Sequence, residues 1–127
     1  MIEVTAAIIR NKQGELLICQ RPRHKNCSLL WKFPEGKQEP GESLEECLIR
    51  ECREELSIGI FVDDKFADTI SENSVGRIHL TFFNCTIQEG TVTTKEHADL
   101  KWVKMSGLDD YEFCPADKKI VNSLLAR

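Results

Sequence analysis

Long hydrophobic runs are missing from this chain of 127 residues. No apolar stretch approaches the roughly 18 residues that cross a bilayer as a helix, so a membrane partner is not expected. The opening residues Met1-Ile2-Glu3-Val4 carry neither a basic region nor a cleavage site. A secretory signal is therefore not expected, and a cytoplasmic location is. Close cysteine pairs are absent too. The six cysteines stand at Cys19, Cys27, Cys47, Cys52, Cys85 and Cys114, and zinc ribbons and redox motifs need Cys-x-x-Cys spacing. Most lie in apolar runs such as Leu16-Leu17-Ile18-Cys19, so they read as small buried hydrophobes in a reducing compartment. Positive charge is short as well, with 17 Lys and Arg against 21 Asp and Glu and a net charge of −4. A sequence-independent nucleic-acid binder wants a basic face, so no nucleic-acid polymer is expected as partner. Repeats, linkers and low-complexity tracts are also missing. The length suits one domain over residues 1–127.

What is there reads as strands and two helices. Glu3 to Arg10 is rich in β-branched and apolar residues and predicts a strand. Asn11-Lys12-Gln13-Gly14 is a turn, and Glu15 to Arg21 returns as the second arm of a hairpin. Residues 22–30 are polar and irregular. Trp31-Lys32-Phe33-Pro34 predicts a short extended piece, because the residue before Pro is pushed out of the helical region. Ser43 with Glu46 forms a capping box. Leu44, Cys47, Leu48, Cys52 and Leu56 then mark an amphipathic helix ending near Leu56. Strands are predicted over 58–70, 77–87 and 100–103, with a turn at 73–76. Pro115 opens a last helix whose apolar face is Ile120, Val121, Leu124 and Leu125. The order predicts an α/β or α+β fold with a mixed sheet covered by helices.

The segment from Gly36 to Ile58 carries the chemistry. Glu51, Glu54 and Glu55 stand at i, i+3 and i+4, so their carboxylates share one helix face. A charge run is ordinarily a solvated face. Here the acids are clustered rather than interleaved with Lys, and Arg50 is the one cation close by. Such a cluster becomes favourable when a hard divalent cation neutralises it through oxygen ligands.

These residues resemble the Nudix box, G-x5-E-x7-R-E-U-x-E-E-x-G-U with U aliphatic. Gly36, Glu42, Arg50, Glu51, Glu54, Glu55 and Ile58 fall on their positions, and Cys52 takes an aliphatic slot. Ser57 stands where the box has Gly, with Gly59 two residues on to take over the turn. Trp31 to Lys37 resembles the approach to the box in MutT-like members. Lys95-Glu96 ahead of Trp102, and Phe113-Cys114-Pro115-Ala116-Asp117 at the last helix, resemble them too. The resemblance implies a single Nudix hydrolase domain with an α/β/α sandwich around a mixed sheet. It implies Mg²⁺ or Mn²⁺ held by Glu51, Glu54 and Glu55, with Glu96 and the backbone carbonyl of Glu35, where the family usually has Gly. Glu51 and Glu96 are both implied as general base. Glu42 and Arg50 would orient the loop and helix. Arg21 and Lys37 would contact phosphates, Gly36 would adjoin the substrate, Phe33 would line the base pocket, and Asp117 would read the base.

The implied activity is hydrolysis of a nucleoside triphosphate to the monophosphate and pyrophosphate, by water attack at the inner β phosphorus. An ionised Asp only accepts hydrogen bonds, which keeps cytidine nucleotides and guanine or oxidised guanine nucleotides such as 8-oxo-dGTP open as substrates. A nucleotide sugar or dinucleotide is the alternative substrate, and a nucleotide-binding module without catalysis is the alternative function. A monomer or homodimer is expected.

Overall fold

The computed structural model describes residues 1–127 apart from 74, 75, 95 and 96 and the side chain of Asn73. Its strands are β1 (Ile2–Arg10), β2 (Leu16–Gln20), β3 (Trp31–Lys32), β4 (Glu35–Lys37), β5 (Gly59–Asn73), β6 (Gly76–Glu89) and β7 (Asp99–Val103). The helices are α1 (Leu44–Leu56) and α2 (Pro115–Leu125), with a short 3-10 helix at Met105–Asp110. The predicted turn at 73–76 falls partly outside the described residues.

The β1–β2 hairpin forms as expected. The Asn11 side chain accepts the backbone N–H of Gln13 and of Glu15, and Gly14 takes φ +79°, a value at which a side chain is strained. The two strands pair only at Arg10 and Leu16. Beyond that, β2 pairs with β7 and β3, while β1 receives β4 through Val4–Lys37, Thr5–Gly36 and Ala6–Glu35. Along its other edge β1 runs parallel to β6, from Ile2–Ile78 to Arg10–Thr86. The long antiparallel β5 closes that side. One seven-stranded mixed sheet results, with the main order β3-β2-β1-β6-β5.

Helices cover both faces, so the central strand is apolar on both. Ala6, Ala7, Ile8 and Ile9 are all fully buried, which a sheet buried on two sides requires. Ala7, Ile9, Leu17 and Phe83 pack under Leu48, Cys52 and Leu56 of α1. Ala6, Ile8, Leu80 and Phe82 pack under Ile120, Val121 and Leu124 of α2. A fully buried Leu such as Leu48 contributes about 1.5–3 kcal/mol over an exposed one. Four of the six cysteines are buried among these side chains, and all six are free thiols.

α1 starts on the predicted capping box. Ser43 Oγ accepts the Glu46 amide at 3.0 Å, and Glu46 accepts the Ser43 amide at 2.8 Å. Its exit corrects one expectation. Ser57 itself takes the left-handed conformation (φ 60°, ψ 34°), and its amide donates to Cys52 O. Gly59 does not take over the turn; it begins β5. The expected strand over 58–70 runs Gly59–Asn73 and slips register between Val62 and Ala67, which hides its alternation. Neither β4 nor the 3-10 helix is legible as an element, both being too short for a periodic pattern.

Candidate active site

The loop from β4 to α1 and the helix itself form one hydrogen-bonded unit. Arg50 stands at its centre. Its Nε and one terminal nitrogen grip both oxygens of Glu42, at 3.1 and 2.7 Å. This fork-to-fork geometry fixes direction as well as charge. The other terminal nitrogen reaches Glu51 Oε1 at 3.0 Å and lies 3.6 Å from Glu54. Glu39 is 3.5 Å away, and the Lys37 carbonyl also accepts from Arg50. The Arg50 hydrogen bonds, with the Glu39 amide, hold the Glu42 carboxyl down at about 2. The Arg50–Glu42 pair thereby ties the loop to the helix.

Gly36 belongs to this unit for a steric reason. A Cβ placed there would lie 1.9 Å from Cγ of Glu51. The glutamate crosses directly over the β4 backbone, and only Gly leaves room for it. Glu35, beside it, is an ordinary strand residue paired with Ala6. The ladder bonds from Ala7 N–H to Pro34 O and from Gln38 N–H to Glu3 O put Glu35 at a non-hydrogen-bonded site. Its carbonyl consequently points away from β1. A side chain at this position costs no backbone strain.

Glu51 and Glu55 share a narrow cleft with Pro34 and Glu35. Glu35 and Glu55 also border a cavity of about 230 Å³ whose other walls include Arg21, Lys25, Lys32 and Lys37. Glu54 is more exposed, at 59% of its side chain. Among the described residues no three metal-ligating side chains are gathered into a ready cluster, because Arg50 draws Glu51 and Glu54 toward itself. The donor set still fits a hard divalent cation: carboxylates on one helix face and a backbone carbonyl aimed away from β1. Glu96 lies outside the described residues.

A second cavity, of about 290 Å³, opens on the α2 side of the same wall. Arg21, Lys32 and Glu35 border both cavities, and Asp117, Leu80, Ile78 and Ala116 line this one. Asp117 is 3% exposed and its Oδ2 accepts the Phe33 amide at 3.1 Å. Burial, with Glu35 nearby, pushes its carboxyl up to about 8. Burial thus favours the protonated form, and a protonated carboxyl donates as well as accepts.

Phe33 is the clearest correction. Its side chain is fully buried against Phe82 and Phe113, stacked on the latter at 5.8 Å between ring centres. Its side chain belongs to the core and lines neither cavity; what Phe33 brings to the site is its backbone amide. Arg21, Gly36 and Lys37 do border the first cavity. Lys32 was missed. The one signal for it is a Lys flanked by Trp31 and Phe33 in an otherwise apolar strand.

Comparisons with known proteins agree with this geometry. Residues 5–123 match the family profile described as NUDIX domain. The chain is 38% identical to the CTP pyrophosphohydrolase of Escherichia coli, over 99% of this chain and 93% of that protein. It is 30% identical to the 8-oxo-dGTP diphosphatase of Haemophilus influenzae, over 98% and 92%. The crystal structure of a MutT protein from Methanosarcina mazei superimposes with a TM-score of 0.86 at 27% identity, covering 99% of this chain and 93% of that one.

Proposed function

The chain belongs to the Nudix family, and on that premise we propose that it hydrolyses a nucleoside triphosphate to the monophosphate and pyrophosphate. One observation carries the reading: Glu55 of α1, with Glu35, borders a cavity whose other walls include Arg21, Lys25, Lys32 and Lys37. An acidic floor under a cationic rim suits a metal-bound polyphosphate. The adjoining cavity, with Asp117 in its wall, is of a size and position to take the base. The names of the relatives, a CTP pyrophosphohydrolase and an 8-oxo-dGTP diphosphatase, support cytidine or oxidised guanine nucleotides as substrates.

Glu51, Glu54, Glu55 and the Glu35 carbonyl would hold Mg²⁺ or Mn²⁺, with Glu96 as a further ligand. Bound there, the ion would neutralise phosphoryl charge and acidify the attacking water. Arg21 and Lys37 bind the phosphates. Glu51 or Glu96 takes the water's proton, and either must be within hydrogen-bond reach of it. Attack on the β phosphorus breaks its bond to the oxygen bridging to the α phosphorus. That oxygen leaves on the monophosphate, and the water oxygen stays in pyrophosphate.

Products identified from CTP, 8-oxo-dGTP, GTP, UTP and ATP, with Mg²⁺ and with EDTA, test the reading. Monophosphate and pyrophosphate in Mg²⁺ only are expected. No turnover of any nucleotide in Mg²⁺ would leave only a binding module.

A further inference from the structure

Lys32 is a cation where the fold gives it little to hold. β3 places Trp31 on one side of it, and Phe33 follows in the core. Lys32 is itself only 5% exposed. Its nearest anion is Glu35 Oε1 at 3.9 Å, an ion pair too long to be a hydrogen bond. Among the described residues no acceptor lies within hydrogen-bond distance of its ammonium. An ammonium carries three donors, and Nζ is open to the cavities that Lys32 borders, where a ligand can supply the acceptors. Lys32 lines the cavity that holds Asp117, which Ile78 and Leu80 of β6 and Pro115 and Ala116 of α2 also border. Those apolar groups suit the faces of a flat ring, and an ammonium beside them suits an acceptor on that ring.

Building on the pyrophosphohydrolase reading above, we propose that Lys32 is a specificity-determining residue whose ammonium takes a carbonyl oxygen of the base. Cytosine, guanine, uracil and 8-oxoguanine all carry such an oxygen. Adenine carries none. Where guanine has its six-position oxygen, adenine has an amino group whose hydrogens meet the ammonium with like polarity. A site built around a buried donor rejects a ligand that leaves it unpaired. Oxo bases should therefore be favoured over adenine by about 10- to 100-fold in kcat/KM. Lys32 also borders the phosphate-side cavity, so the rival role is a phosphate contact, which would ignore the base.

The experiment is kcat/KM for CTP, GTP, UTP and ATP with Mg²⁺, on the wild type, Lys32→Met and Lys32→Gln. Melting curves confirm folding. Met fills the same space without charge, and Gln keeps a neutral donor. The expected result is that Lys32→Met lowers the three oxo nucleotides at least tenfold more than it lowers ATP, mostly through KM, with Lys32→Gln in between. An equal fall for all four nucleotides assigns Lys32 to the phosphates and overturns the proposal. An unchanged CTP to ATP ratio overturns it as well. Should neither variant fold, the wild type decides: ATP turned over as readily as CTP and GTP overturns it. Absence of pyrophosphate from every nucleotide would instead overturn the pyrophosphohydrolase reading itself.

Discussion

The two cavities share a wall and are built in opposite ways. The acids of the phosphate side are drawn from one stretch of chain, Glu35 to Glu55, locked by Arg50 onto Glu42, Glu51 and Glu54, and Arg21, Lys25 and Lys32 complete its cavity. The base side is drawn from β3, β6 and α2, with Lys32 and Asp117 buried on few partners. A site for phosphate and metal needs many fixed charges close together, and one helix face supplies them cheaply in sequence length. A site for a base needs one or two polar groups in an apolar slot, and tertiary packing supplies those. Chemistry should therefore fail uniformly when the first region is damaged, and selectivity should shift when the second is.

The largest effect expected is at the helix. Glu54→Gln keeps shape and removes a charge; it should lower kcat at least about 100-fold, since losing one fixed stabiliser of transition-state charge costs about that much. An unchanged melting temperature and near-normal turnover would remove Glu54 from the site. Gly36→Ala comes next. The added methyl meets Glu51, so it should cost about 1–3 kcal/mol of stability and displace the glutamate. Such misplacement can lower turnover about 100-fold. Denaturant unfolding beside steady-state rates checks both parts.

Asp117→Asn probes the other region and should act on pH more than on rate. The folded pKa of Asp117 is raised from 3.8 to about 8. The protonated form is the one the fold prefers, so its contribution is complete below about pH 4 and is lost as pH rises through about 8. The neutral amide removes that loss. The melting temperature of Asp117→Asn relative to wild type should rise from pH 4 to pH 9; a flat difference would mean that the carboxyl is ionised throughout. Away from both cavities, His79 bridges Glu3 at 2.7 Å and Asp68 at 2.6 Å. Its pKa is raised from 6.5 by these carboxylates, Asp68 most. The stabilisation is complete below the unfolded value of 6.5 and is lost as pH rises through the higher folded value. His79→Gln should therefore lower the melting temperature more at pH 6 than at pH 9, with turnover intact.

The same contrast explains what could be read before the fold was known. The helix was legible because Ser43, Glu46 and the Leu44 to Leu56 stripe encode it locally. The box was legible because Gly36, Glu42, Arg50, Glu51, Glu54 and Glu55 repeat a fixed spacing. The reason for Gly36, a glutamate crossing its backbone, was not. Ser57 in place of Gly looked like a defect until its own left-handed backbone accounted for the turn. The base pocket stayed hidden because positions 32, 80 and 117 meet only through sheet order and the packing of α2. Phe33 misled for the same reason: an aromatic near a site and an aromatic in the core look alike in so short an extended piece. No pattern rule marks the raised pKa of Asp117, which comes from burial.

The division of labour between the two regions is tested most directly by the CTP to ATP ratio of kcat/KM in Glu54→Gln and in Asp117→Ala. Glu54→Gln should lower both rates by one common factor and leave the wild-type ratio in place. Asp117→Ala should change the ratio. A ratio that moves with Glu54 and stays fixed with Asp117 would contradict the account.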